Sequence, residues 1–220
     1  MNTGKDIALL VVSCDRYKKL WEPFFGLLKK HWPDCPFKIY LISENPDYPG
    51  IEGISEKDQS WATRLKSALQ KIKEPYVFLM LDDYLLTEKV DTKKILELFE
   101  IVKKENVCHL GVTPLLHPVS FPQFKDYPDL IEIGEDDYRV TTQAGFWNKE
   151  IFIKILKEGE TPWETETRGT GRSYEFSPFV MMKDEFLLKY IQGAVGGKVS
   201  GEIKGYLEKE GFDSSYPELL

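Results

Sequence analysis

Two adjacent carboxylates, Asp82 and Asp83, end an apolar run, Tyr76-Val-Phe-Leu-Met-Leu81, and the chain turns apolar again with Tyr84-Leu-Leu86. Carboxylate oxygens suit hard cations such as Mg²⁺ and Mn²⁺, which bind through one or two carboxylates plus the phosphates of a substrate. Such a pair either rims a turn or sits at the mouth of a site, and the apolar flanks weigh against a simple exposed turn. A second group, Ser13-Cys14-Asp15-Arg16-Tyr17, follows the apolar run from Ile7 to Val12. There Asp15 suits a nucleobase or ribose, Tyr17 a stacked ring, and the start of the next helix an anion. A plain helix cap accounts for Asp15 equally well.

Weaker signals lie further on. Trp61 and Arg64 open an amphipathic stretch. A guanidinium there suits phosphate or a base edge, although an exposed helical Arg is commoner. Gly145-Phe146-Trp147 and Trp163-Glu164-Thr165-Glu166 set aromatic rings beside acids. Ring faces pack on the apolar faces of sugars, and a carboxylate can bond or deprotonate a hydroxyl. The alternative is a polar surface loop anchored by one Trp. Gly193 to Lys198 offers backbone N–H groups and a cation for a diphosphate. It is no Walker motif, because Val199 follows Lys198, and a plain glycine turn is the stronger reading of that stretch alone. His31 and His109 read as structural, and His117 as loop-borne. No Ser-His-Asp, Cys-His or Glu-x-x-His arrangement is visible.

The elements that must position these residues follow from periodicity. Continuous apolar runs at residues 7–12, 37–43, 76–81 and 107–112 predict strands buried on both faces. Helical spacing predicts helices over residues 17–32, 60–72 and 91–106, with Asp91 as a cap. Strand–helix–strand order implies right-handed crossovers and parallel pairing. In such sheets ligands bind outside the carboxyl ends of the strands, where Ser13–Tyr17 and Asp82-Asp83 fall. Residues 46–53 read as a loop and residues 113–137 as irregular chain, a length that is usually functional or a small excursion. Alternation predicts a strand at 138–143, then a helix at 148–157 capped by Asn148. Residues 159–173 read as a polar loop, and 201–210 as a final helix.

A chain of 220 residues with a formal charge of −7 allows one domain with a sizeable core and argues against non-specific nucleic-acid binding. Three widely spaced cysteines, Cys14, Cys35 and Cys108, fit free thiols in a reducing compartment. No apolar stretch is long enough for a transmembrane segment. The expected location is the cytoplasm, or the inner face of a membrane as a peripheral protein.

The order of these motifs resembles the GT-A glycosyltransferases, in particular small bacterial enzymes of cell-surface polysaccharide assembly. The likeness runs over residues 7–212. It implies one α/β, Rossmann-like domain with a mostly parallel central sheet flanked by helices. Residues 1–112 would bind a nucleotide-sugar, a UDP-sugar in the first place, and residues 113–220 would form the acceptor side. It further implies that Ser13, Asp15, Arg16, Tyr17, Trp61, Arg64, Asp82, Asp83 and Lys198 bind the donor. Asp83 would hold Mn²⁺ or Mg²⁺. Gly145, Phe146, Trp147 and Trp163 would shape the acceptor side, the acceptor being a saccharide or lipid-linked sugar. Glu166, or Glu164, would be the base of an inverting hexosyl transfer. The family's usual acid motif is Asp-x-Asp, whereas this chain reads Leu81-Asp82-Asp83-Tyr84. Adjacent side chains of a regular strand point to opposite faces, so both acids serve one ligand only if the strand bends at Asp82. The rivals are a sugar nucleotidyltransferase, against which stands the lack of a Gly-rich loop after the first strand, and a non-catalytic nucleotide- or sugar-binding protein.

Overall fold

The computed structural model describes residues 5–57, 60–114, 121–195, 198–199 and 201–214. Its centre is a sheet whose inner strands bury both faces. In β1 (Ile7–Val12) every residue is buried. Ile7, Leu9 and Val11 face one core, and Ala8, Leu10 and Val12 the other, as period-two alternation requires. β4 (Tyr76–Leu81) does the same, with Phe78 and Met80 on the first side and Val77 and Leu79 on the second. β2 (Lys38–Ser43) and β3 (Glu52–Ser55) extend the sheet beyond β1.

Helices close both faces. On the first side lie α1 (Lys18–His31), α3 (Thr92–Lys104) and α6 (Gly201–Glu210), which contribute Leu20, Trp21, Phe24, Leu98, Phe99, Ile203 and Leu207 to that core. On the second lie α2 (Trp61–Lys71), α4 (Lys149–Ile155) and α5 (Pro162–Ser173). The starts of α2, α3 and α4 are capped by Ser60, Asp91 and Asn148, whose side chains accept the N–H groups of Thr63, Lys94 and Ile151. The starts of α2 and α5 lie side by side, since the Gly159 N–H donates to Ser60 Oγ and Thr63 Oγ1, each at 3.0 Å.

After the acid pair come β5 (Tyr84–Leu86), β6 (His109–Gly111), β7 (Gln123–Phe124), β8 (Tyr127–Glu132), β9 (Gly145–Asn148) and β10 (Phe179–Met182). The main sheet among the described residues has the order β3-β2-β1-β4-β9-β6-β10-β8-β7. Only β9 and β8 run against the other strands. β11 (Tyr190–Gln192) pairs with β5, and β12 (Ala194–Val195) with β13 (Lys198–Val199). The result is a mostly parallel sheet between helical layers, the α/β architecture that the sequence predicts.

Four expectations are corrected. Residues 46–53 do not stay a loop to their end, because the edge strand β3 begins at Glu52. The irregular stretch 113–137 holds the hairpin β7–β8. Residues 138–143 form no strand: their backbone runs along α5 and bonds to its side chains. Residues 159–173 are no loop, since α5 starts at Pro162 behind a capping box in which the Thr161 side chain accepts the Glu164 N–H and the Glu164 side chain accepts the Thr161 N–H.

Candidate functional site

Strand β1 lies between β2 and β4, so the strand order reverses at β1, and the carboxyl ends of strands at such a point are where open α/β sheets bind ligands. The acids fall there. β4 ends at Leu81, Asp82 and Asp83 form a turn, and the chain restarts as β5. The bend that two adjacent acids need is therefore present. The two side chains part company at it. Asp82 is 6% exposed and accepts a hydrogen bond from the Ser13 hydroxyl, which in turn accepts from Trp21 Nε1 at 2.7 Å. Burial pushes the Asp82 carboxyl well above the usual carboxylate range, and the charge of Asp83 adds to that, against the Ser13 hydrogen bond and the Arg64 charge. Asp83 is more open, and its carbonyl accepts the Gly193 N–H at 2.7 Å.

A charged network joins the ends of β1 and β2 to α2. Arg64 is buried and donates to the Ser13 carbonyl and to Glu44. The other Glu44 oxygen accepts the Asp15 N–H at 2.6 Å. Asp15 lies in a 3-10 turn, Asp15–Tyr17, ahead of α1, and its side chain caps neither helix. Its carboxylate accepts the Asn45 N–H at 2.8 Å, the Asn45 side chain, and Ser43 Oγ at 3.2 Å. Partial burial raises its pKa, but these hydrogen bonds outweigh that and hold the group below its ordinary value. Glu44 is the member that sequence reasoning missed. Its one signal was its place at the end of the second strand, the position Asp15 and Asp82 hold after theirs. Tyr17 feels the charges of both Asp82 and Asp83, which, after burial and Cys14, raise its hydroxyl pKa. Trp61 is half-buried at the start of α2.

Glu166 reaches the same edge by another route. In the antiparallel pairing of β4 with β9, Leu79 faces Gly145. Asp82 lies three residues beyond Leu79 and Thr142 three residues before Gly145, so both leave the sheet on one side. The Thr142 N–H donates to Glu166 Oε1 at 2.6 Å, the Thr142 hydroxyl at 2.9 Å and the Thr141 hydroxyl at 3.3 Å. Tyr84, directly after Asp83, stacks on Tyr190 with centroids 4.4 Å apart. Burial, then Tyr190, then the charges of Asp83 and Glu166 drive the Tyr84 hydroxyl far above its ordinary range. The structure thus gathers Ser13, Tyr17, Arg64, Asp82, Asp83 and Glu166 around one edge. Further along it, at the carboxyl end of β10, lies a hollow of about 280 Å³ lined by Pro128, Asp129, Met182, Lys183, Asp184 and Glu185.

Four other expected site residues, Gly145, Phe146, Trp147 and Glu164, have packing or capping roles instead. Phe146 and Trp147 are fully buried in the central strand β9. Phe146 packs on Phe78 and Phe99, and Trp147 stacks on His109 and Phe152. Neither can meet an acceptor. Gly145 is a packing glycine: a Cβ there would lie 2.7 Å from the Leu110 carbonyl oxygen. Glu164 closes the capping box and pairs with Arg168 at 3.0 Å, and the hydrogen bonds from Thr161 lower its pKa. Trp163 is 65% exposed on the first turn of α5. Gly196, Gly197, His117 and the side chain of Lys198 lie outside the described residues.

Among the described residues the acids fit a divalent ion through a single carboxylate. Among the described residues no cluster of three or more His, Cys, Asp or Glu could hold a metal by itself, and Asp82 is committed to Ser13. Asp83 fits as a single protein ligand, with phosphate oxygens and water completing the shell.

No protein-family model matches the sequence, and no curated protein matches it. Solved structures do match in fold. The chain superposes on TarS residues 1–349 from S. aureus with a TM-score of 0.57 and 11% identity, covering 86% of this chain and 60% of that one. It superposes on a UDP-glucose pyrophosphorylase with a TM-score of 0.55 and 11% identity, covering 93% and 97%. The chain therefore spans about three fifths of the TarS fragment. Forms of these neighbours were solved with UDP-GlcNAc, with UDP and with UDP-glucose bound. Likeness at this identity defines the fold, and that fold is the GT-A-like, Rossmann-like α/β domain. No helix of the described residues is long and apolar enough to cross a membrane.

Proposed function

We propose that the protein is a glycosyltransferase that moves a sugar from a nucleotide-sugar to a hydroxyl acceptor. The observation that carries the reading is that a donor-side acid, Asp83, and a separately anchored carboxylate, Glu166, lie at one sheet edge, both near enough for their charges to act on the Tyr84 hydroxyl. The fold supports it, since solved neighbours hold UDP-sugars.

In this reading residues 1–112 bind the donor. Glu44, Asp15 and Arg64 form the nucleoside end of the crevice, and Tyr17 lies beside the acids. Asp83 would hold a divalent ion, which would supply positive charge to offset that of the leaving diphosphate. Residues 113–220 supply the acceptor side, with Trp163 as an exposed ring for a saccharide. Glu166 takes the proton from the acceptor hydroxyl as its oxygen attacks the anomeric carbon. The bond from that carbon to the diphosphate breaks, and the nucleoside diphosphate leaves with the bonding electrons. Attack opposite the leaving group inverts the anomeric centre.

Glu166→Gln removes the proton acceptor and keeps the shape. Turnover of UDP-glucose or UDP-GlcNAc with Mn²⁺ is expected to fall by about 10²–10⁴-fold, while donor binding by calorimetry stays within twofold. Wild-type turnover in this variant rejects the base. One observation favours a second reading, a sugar nucleotidyltransferase: the match to a UDP-glucose pyrophosphorylase spans nearly that whole chain. Release of pyrophosphate from UTP and glucose 1-phosphate, with no transfer from UDP-sugars, would establish it. Against it stands the end of β1, where the 3-10 turn replaces a Gly-rich loop.

A further inference from the structure

The segment that precedes β9 is tied to α5 at three successive levels. Arg139 Nε donates to Ser173 Oγ at 3.1 Å, the Val140 N–H to Thr170 Oγ1 at 3.2 Å, and the Thr142 N–H to Glu166 Oε1 at 2.6 Å. Residues 166, 170 and 173 share one face of a helix. That face buries Thr170 and Ser173, whose hydroxyls also donate to the Glu166 and Thr170 carbonyls at 2.8 Å and 2.7 Å, so the bonds from the segment fill their acceptor side. The far end of the segment is fixed. The Arg139 guanidinium is buried, donates to the carbonyls of Ile133, Gly134 and Phe176, and lies 4.3 Å from the Phe179 ring centroid. At the near end, the Tyr84 hydroxyl donates to the Thr142 carbonyl at 3.5 Å.

The hydrogen bonds to Glu166 are lopsided. Thr141 and Thr142 direct three donors at Oε1, and among the described residues none reaches Oε2. A carboxylate held at one oxygen by a backbone N–H and a hydroxyl of the same residue has a fixed plane, so its second oxygen points in one direction. We infer that Thr142 is a positioning residue for the reaction: its N–H and hydroxyl fix the Glu166 carboxylate so that Oε2 is the oxygen that takes the proton. The inference rests on Glu166 as the base. It explains a pattern the capping and packing of α5 do not require, since the helix is already closed at its start by the capping box and pinned by the Glu160–Arg172 pair at 3.0 Å and 2.5 Å.

The test uses Thr142→Val, which deletes the hydroxyl and keeps the N–H, with Thr142→Ser as the rescue and Glu166→Gln as the control. The readouts are kcat and donor KM for UDP-glucose and UDP-GlcNAc with Mn²⁺, binding stoichiometry for UDP, and Tm. A lost hydrogen bond to a charged group is expected to lower kcat about tenfold or more. Donor KM, UDP stoichiometry and Tm should stay near wild type, and the Ser variant should recover the rate. Wild-type kcat in Thr142→Val, with Glu166→Gln inactive, overturns the inference alone. A rate loss matched by lost UDP-binding stoichiometry or a lowered Tm also overturns it, because it marks a role in folding only. Wild-type turnover in Glu166→Gln overturns the base reading and the inference together.

Discussion

Asp82 and Asp83 are chemically identical and adjacent, yet their surroundings give them different work. Asp82 is buried against Ser13 and Trp21, and burial favours its neutral form. It joins the end of β4 to the end of β1. An amide can replace a neutral carboxyl in that bond, so Asp82→Asn is expected to keep most of the stability. Asp82→Ala removes the buried acceptor of the Ser13 hydroxyl, leaving it the Cys14 carbonyl at 3.2 Å, and should cost about 1–3 kcal/mol in urea unfolding. Equal losses in the two variants would refute the bond's role. Asp83 is more open, and in the proposed reaction it is the residue that would hold a substrate-bridged cation. With UDP and Mn²⁺ near 100 times their dissociation constant, the wild type should gain about 2.7 kcal/mol, a Tm rise of about 5 °C. Asp83→Asn should lose the part of that rise that depends on Mn²⁺. If Mn²⁺ leaves the Tm of the wild-type UDP complex unchanged, Asp83 is not a metal ligand.

Which elements could be read from the sequence depended on what each one buries. β1 and β4 bury both faces with apolar side chains, so their runs were legible and their ends pointed to Ser13 and Asp82. The helices α1, α2 and α3 bury apolar stripes and were equally plain. The helix α5 was not, because its buried residues are Thr165, Gly169, Thr170 and Ser173, which carry no hydrophobic period. Residues 138–143 alternate like a strand, but their backbone partners are side chains of α5. Strand β9 misled in the other direction: Phe146 and Trp147 sit near acids in sequence and look like a sugar platform, whereas they fill the centre of the sheet. One consequence concerns His109 on β6, stacked at 4.0 Å on Trp147 and bonded through Nδ1 to the Phe146 carbonyl at 2.9 Å. Burial lowers its pKa from 6.5 to about 3. The unfolded chain therefore binds a proton that the native state refuses between those values. Stability from this group is complete above pH 6.5 and is lost as pH falls toward 3, by up to about 1.4 kcal/mol per unit. His109→Gln should show a shallower fall in urea midpoint over that range. Parallel slopes for the two proteins would remove His109 as a cause of acid sensitivity.

At the scale of the whole molecule, the last described helix is built into the first core. Ile203 and Leu207 of α6 are fully buried in the cluster that holds β1, α1 and α3. Beyond α6 the Phe212 ring lies on α1 over Gly26, where an added Cβ would come within 2.6 Å of it and push the ring aside. Between these contacts and the site runs a short path: Gly193 bonds the Asp83 carbonyl, and β11 pairs with β5 directly after the acids. The elements from β11 to α6 thus brace the turn at Asp82 and Asp83. If that brace belongs to one cooperative unit, Leu207→Ala removes buried apolar volume from the common core and should cost about 2–5 kcal/mol of global stability. Unfolding followed by Trp fluorescence and by far-UV circular dichroism should then shift together in urea. The weakened brace should also raise the KM for UDP-glucose or UDP-GlcNAc, because Asp83 is held through Gly193. Two separated transitions, or a stable main core with only helical signal lost early, would show instead that the carboxyl-terminal helix unfolds on its own and that the turn at Asp83 stands without it.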